Sequence, residues 1–356
     1  MLHPAMTPPL LTPDCPGVGG RMKVQPDDFI VEEIPAYEAC GEGDFLYLWI
    51  EKRGIGAEFM LRHIARCLGL GFDAVGTAGL KDRHAITRQW VSLPAEIEAK
   101  IGRIDTDGIR VLNVTRHTNK LKPGHLRGNR FTIRIREADR THADAVPTIV
   151  ARIREKGLPN FYGPQRFGHD GETAERGFAM LNGERVNAGP FQRKLYLSAA
   201  QSLLFNECLA SRLTDGLLHT VLQGDVMMKW PFGGMFNAED VPTEQARFDK
   251  REIVTGGPMF GKKTFAAKDV VAEREAKVLT DNGLTPEHFD RPGKLLLGTR
   301  RHNLIYLDEL TATWDDDGLN LDFTLPSGSY ATILLREIMK TKFNPSSSHV
   351  AVSSSR

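Results

Sequence analysis

The chain has 356 residues, 41% hydrophobic and 26% charged, with 46 Lys and Arg against 45 Asp and Glu for a formal net charge of +1. That length buries a sizeable core and suits two domains better than one, and the balanced charge excludes a globally basic nucleic-acid binder, so any attraction for phosphate has to be local. No apolar run approaches the roughly 20 residues needed to cross a bilayer, and the four cysteines, Cys15, Cys40, Cys67 and Cys208, form no Cys-x-x-Cys pair, which argues against a disulfide framework or a zinc site.

The first twenty or so residues are rich in Pro and Gly, too interrupted for a signal peptide, and a reduced, cytoplasmic compartment is the expectation. FIVEEI (29–34) and FLYLWIEKRG (45–54) read as strands, the second ending in a turn at Arg53-Gly54. In AEFMLRHIARCLGL, Met60, Ile64, Cys67 and Leu68 share one helical face, with Gly71 after the end and Cys67 in the core. The stretch from Gly76 to Pro94 begins as a Gly-rich loop, turns polar and ends in a strand around Gln89–Leu93. From Val111, two alternating ends flank a long polar connection. A helix starts a little before Pro147 and buries Val146, Ile149, Val150 and Ile153.

The texture changes after Gly157-Leu158-Pro159. NFYGPQRFG is aromatic and Gly-rich; helical patterns then dominate, in GETAERGFAMLNG, in RKLYLSAAQSLLFNECLASRLTDG and around Val270–Leu279. Strands return at NLIYLDEL and LNLDFTLP, a helix spans Tyr330–Lys340, and the Ser-rich tail NPSSSHVAVSSSR is expected to be disordered. Strands therefore bracket a mostly helical middle, which suits either one irregular α+β domain or a domain inserted into another.

The most informative segment is GTAGLKDRHAITRQW. Asp82 is flanked by Lys81, Arg83 and His84, and Gly76 and Gly79 permit a sharp turn or close approach of backbone to a ligand. An ionised carboxylate serves as nucleophile or base, although a loop aspartate beside Lys and Arg is more often a surface ion pair or a turn former. The run RHTNKLKPGHLRGNRF (116–131) carries Arg116, Lys120, Lys122, Arg127 and Arg130 and no Asp or Glu, a supply of phosphate-facing cations or a solvated loop. FYGPQRFG pairs aromatic rings with Arg166, as in base stacking or in a packed hinge. No phosphate-binding loop, dinucleotide fingerprint, HExxH or G-x-S-x-G motif is present, which leaves cofactor-free nucleic-acid chemistry as the reasonable reading.

Several motifs in one order resemble the TruD family of tRNA pseudouridine synthases over nearly all of residues 22–340. The most specific is GLKDRHA (79–85). The others are QPDDFIVEEIP, LRGNRFTIRI, NFYGPQRFG, QSLLFN, LQGDVM and FTLPSGSYATILLREI. The resemblance implies that Asp82 is the catalytic aspartate, and that Phe29, Asn129 and Phe131 line the uridine site. It also makes Tyr330 and Lys23 substrate-binding candidates: Tyr330 stands where relatives carry Phe, keeping a ring for stacking or packing, and Lys23 is in a basic position before the DDFIVEE segment, to contact phosphate or the catalytic carboxylate. Lys81, Arg83, His84, Arg116, Lys120, Lys122, Arg127, Arg130 and Arg166 become candidate RNA backbone contacts.

It further implies an α+β pseudouridine synthase fold with a mixed, largely antiparallel sheet. The catalytic domain would comprise residues 1–157 and 304–342, with a family-specific insertion at 158–303 and a tail at 343–356. The expected reaction converts uridine 13 of tRNA to pseudouridine, with tRNA as partner and no cofactor, metal, membrane or obligate protein partner. A catalytically silent RNA-binding or RNA-folding protein, or a carboxylate-dependent hydrolase, is the competing reading.

Overall fold

The computed structural model describes residues 3–341. The tail expected at 343–356 lies outside them. In chain order the elements are β1 (Phe29–Pro35), β2 (Phe45–Arg53), α1 (Ala57–Leu68), β3 (Gly76–Thr77), β4 (Ile86–Pro94), β5 (Ile109–His117), β6 (Leu126–Ile135) and α2 (Ala145–Lys156). Then come β7 (Leu158–Pro159), α3 (Glu172–Leu181), α4 (Pro190–Thr214), β8 (Val226–Lys229), β9 (Met235–Asn237), α5 (Val241–Asp249), β10 (Ile253–Met259) and α6 (Asp269–Asp281). The chain ends with β11 (Thr299–His302), β12 (Leu304–Ile305), β13 (Thr311–Asp315), β14 (Gly318–Pro326) and α7 (Ala331–Met339). They fall into two compact units.

The first unit holds Pro16–Ala151, Leu307–Ser329 and the described part of Ile338–Arg356. Its sheet runs β13-β14-β6-β1-β4-β2-β5, with β3 paired to β4. Only β1 and β4 run parallel; the other neighbours are antiparallel, so the fold is mixed α+β. Alternation sets the faces. Leu46, Leu48 and Ile50 of β2 and Val91 and Leu93 of β4 point to one side, where Met60, Leu61, Ile64 and Leu68 of α1 cover them. The helix ends on Gly69 in the left-handed region (φ 71°), two residues before the expected Gly71.

β4 begins at Ile86, four residues after Asp82 and earlier than the Gln89–Leu93 stretch suggests. The connection expected to be long covers only 118–125, because both flanking strands extend into it.

The second unit holds the described part of Met1–Cys15, Arg152–Tyr306 and Tyr330–Glu337, more than the 158–303 stretch alone. The Pro-rich N-terminal segment is held in it by side-chain bonds. Glu337 accepts from Leu11 N at 2.7 Å and from Thr12 Oγ1 at 2.7 Å, and Asn206 Nδ2 donates to Ala5 O at 3.0 Å. This unit is not simply helical. It has its own sheet, β11-β10-β8-β9, against which α4 packs. NLIYLDEL supplies only the short β12, paired with β7, before a turn into β13.

Gly128 shows how tightly the first sheet is built. A Cβ there would stand 2.3 Å from the Leu325 carbonyl oxygen on β14. Gly128→Ala should therefore push β14 from β6 and cost about 1–3 kcal/mol in a urea melt. An unchanged midpoint would show that this approach is not required.

Candidate active site

Five contacts pin the loop that carries Asp82. The Ala78 carbonyl accepts from Gly124 N at 2.9 Å, the Gly79 carbonyl from Gln89 Nε2 at 3.2 Å, and the Ala85 carbonyl from Gly54 N at 3.1 Å. The Asp82 carbonyl accepts from the Lys52 ammonium, which is fully buried. The fifth contact is the Lys81 side chain, which turns inward. Its Nζ donates to Asn129 Oδ1 at 2.7 Å and lies 3.0 Å from Glu33 Oε2, an ion-pair contact without hydrogen-bond alignment. Gly76 also serves this packing: a Cβ there would meet Ser92 Oγ at 2.3 Å and the Leu121 carbonyl at 2.5 Å, so the close approach is to protein.

With its backbone held, Asp82 presents its carboxylate to Lys23, whose ammonium is 3.0 Å from Oδ2; both side chains are about four-fifths buried. The same ammonium stands 4.2 Å from the centre of the Phe29 ring, a favourable cation–π distance. Phe29 meets Phe131 edge-on at 6.1 Å, and Phe131 stacks on Phe323 at 5.2 Å. Lys23 holds a left-handed backbone (φ 55°), rare outside glycine. Its segment is tied down on both sides. Arg21 bridges Arg136, and the Asp28 carboxylate caps Gln25 N at 2.8 Å while pairing with Arg136 Nε at 2.8 Å. Asp27 holds Arg53 through two bonds of 2.6 Å. The two aspartates before Phe29 thus set the approach of Lys23.

The first unit therefore brings together Lys23, Phe29, Asp82, Asn129 and Phe131. Lys81 is corrected from an RNA backbone contact to an internal anchor, since it is 8% exposed with its charge committed to Glu33 and Asn129. Arg116 is engaged by Glu98, and Lys120 donates to the Asp73 carbonyl. Arg83, His84, Lys122, Arg127 and Arg130 are exposed and carry no side-chain bond among the described residues. Arg130 pairs with Glu32 while Asn129 pairs with Glu33, so the two side chains take opposite faces of the sheet.

Tyr330 and Arg166 belong to the second unit. There Tyr330 meets Tyr162 edge-on at 5.6 Å, Arg301 lies 4.2 Å from the Tyr162 ring centre, and Arg166 bonds Ser198 and Ser202. Burial pushes the Tyr330 phenol up, opposed by Arg166 and Arg301. Among the described residues no group of three or more His, Cys, Asp or Glu is arranged to hold a metal, and no helix is long and apolar enough to cross a membrane.

The family model described as tRNA pseudouridine synthase D (TruD) matches residues 8–189 and 186–338. A tRNA pseudouridine synthase D of Anaeromyxobacter sp. (strain Fw109-5) is 43% identical, over 93% of this chain and 96% of its own length. Its counterpart in Thermus thermophilus is 42% identical, over 94% and 92%. The chain belongs to the tRNA pseudouridine synthase D family. A Methanosarcina mazei protein solved as a candidate member shares the fold, with a TM-score of 0.76 at 23% identity over 94% of this chain and 97% of that one.

Two site residues of this TruD chain escape sequence reading, Glu33 and Lys52. The signal was their phase. Glu33 follows Phe29 and Val31, and Lys52 follows Leu48 and Ile50, on inward positions where charge is rare. Burial pushes the Glu33 carboxyl above its usual range, and Lys81 opposes the rise. Removing one partner of a buried pair typically costs about 3–5 kcal/mol. Glu33→Gln and Lys81→Met should each lose that much in urea melts, and the double variant less than the sum. Additive losses would show that the pair is not coupled.

Burial pulls the Lys52 ammonium down to about 8, with Asp82 opposing. The unfolded chain holds that proton more tightly. The cost of burying Lys52 is therefore complete below about pH 8 and fades as pH rises towards the ordinary value of 10.5. Wild type should gain stability relative to Lys52→Met between those values. A pH-independent difference between the two melts would refute this.

Proposed function

We propose that Asp82 is the catalytic carboxylate of this family member, that its target is uridine 13 of tRNA, and that it works in the cytoplasm. Its reaction is the isomerisation of uridine to pseudouridine in tRNA. The C1′–N1 bond is exchanged for a C1′–C5 bond, C5 gives up its proton, N1 gains one, and mass is unchanged.

The observation that carries the assignment is the setting of Asp82. Its loop is fixed by backbone bonds and an internal lysine, while its carboxylate meets one cation beside an aromatic wall. A target base has to leave its stack, at a cost of a few kcal/mol. Phe29 and Phe131, both buried, form the apolar backing beside Lys23. Thr87 Oγ1 and Gln89 Oε1 are buried without a protein partner on the face that also carries Glu33 and Asn129.

Either attack on C1′ or removal of a sugar proton starts from the ionised carboxylate. Both leave a detached uracil that has to be retained while it turns, a task for a closed aromatic site. Phosphate contacts by the exposed Arg83, His84, Lys122, Arg127 and Arg130 would offset part of the flipping cost. Four free thiols support the cytoplasmic placement, and cell fractionation that found the protein elsewhere would refute it.

The test is C5-tritium release from uridine-labelled, unmodified tRNA. Wild type should release tritium, and Asp82→Asn should be slower by at least about 100-fold, the low end of what a positioned acid or base supplies. Product mapping should put pseudouridine at position 13. Comparable rates for the two proteins would remove Asp82 from the chemistry, and product elsewhere would refute the position.

A further inference from the structure

At one end of the first unit's sheet lies a recess of about 550 Å³, lined by Tyr37, Phe45, His117, Asn119, Lys122 and His125 among others. That is within the roughly 300–1,000 Å³ of small-ligand sites. Its walls are rings in organised contact. Tyr37 stacks on His117 at 5.0 Å with an interplanar angle of 22°, meets His125 edge-on at 5.5 Å, and shares a 2.7 Å hydrogen bond with His125 Nδ1 through its hydroxyl. Tyr47, beneath, packs on His117 and donates to the Asn119 carbonyl at 2.9 Å. Glu38, Glu42 and Asp44 belong to the same β1–β2 connection, yet no carboxylate lines the recess. Lys120 is held by the Asp73 carbonyl, whereas the Lys122 ammonium is exposed and has no partner among the described residues.

Aromatic rings that continue a stack, side-chain amides and an uncommitted cation are the parts that bind an unpaired nucleotide. The recess is separate from the Asp82 site. Phe45 and Tyr47 are out of phase with Lys52 on β2, so their side chains take the opposite face of the sheet. The two are nevertheless joined, since Gly124, in the loop that carries Lys122 and His125, donates to the Ala78 carbonyl. Ala78 and Asp82 are at most about 14 Å apart along the chain.

We propose that this recess is a second RNA subsite, which takes an unpaired tRNA nucleotide other than the target, with its base on the Tyr37–His117 stack and its phosphate at Lys122. The proposal rests on the tRNA-modifying reading above. Bound there, the nucleotide anchors the substrate against the segment that carries the catalytic loop.

The test uses the full chain with an unmodified tRNA transcript. Ultraviolet cross-linking followed by peptide mapping should give adducts at Tyr37 or His117. Loss of one stacked base weakens binding by about 5- to 100-fold, so Tyr37→Leu should raise the Kd by that factor. Lys122→Ala should lower the slope of log K against log salt by about 1. Thermal melts check folding, and His117→Ala replaces Tyr37→Leu if the latter does not fold. Adducts only elsewhere, or a folded variant within about two-fold of wild type, would overturn the proposal. Tritium release is scored separately. Wild type that cross-links at Tyr37 without releasing tritium would sink the catalytic reading and leave the subsite standing.

Discussion

The contact on which the geometry of the candidate site depends is the buried pair of Glu33 and Lys81. Such a pair is a poor source of stability, since desolvating two charges consumes most of what their attraction returns. Its use is positional. Glu33 stands opposite Asn129 across β1 and β6, and Lys81 reaches both. The residue before Asp82 is thus tied to two strands at once. A slip of one residue between those strands would turn Glu33 or Asn129 to the other face, and the loop would lose its inner anchor. Strand register and the placement of Asp82 are one problem, which the pair solves.

This explains which parts of the molecule the sequence discloses. The strands of the first unit show themselves through alternation, and α1 through its apolar face, because both are rules of burial along one element. The Asp82 segment stands out by motif. What stays hidden is partnership. Lys81 beside Asp82 reads as one more exposed cation, and only the approach of β1 and β6 reveals where it points. The sheet of the second unit is hidden for another reason. Its central strand, β10, is buried along its whole length and contains Gly256, Gly257 and Pro258, residues that read as breakers. Gly257 is there because a Cβ would meet Asn303 Oδ1 at 2.5 Å and Phe205 at 2.7 Å. Close packing, invisible along a single element, outweighs β-propensity.

The overall charge is similarly uninformative until pairing is subtracted. In the first unit, Arg53 is taken by Asp27, Arg88 by Glu32 and Glu51, Arg134 by Asp315 and Asp317, and Arg136 by Asp28. Most of these carboxylates belong to the sheet or its immediate flanks, so neutralisation is concentrated on the scaffold. The segment 116–131 contributes cations without any carboxylate of its own, and the loop at Asp82 adds Arg83 and His84. Exposed cations left without an ion pair among the described residues include Arg83, Lys122, Arg127 and Arg130 of these segments, and Arg66, Lys100, Arg103 and Arg110 elsewhere in the unit. A chain of net charge +1 can in this way offer phosphate a local positive field, whose reach is about 8 Å at physiological salt. Over that distance what counts is which cations have been left unpaired, and next to Asp82 in the chain that is Arg83.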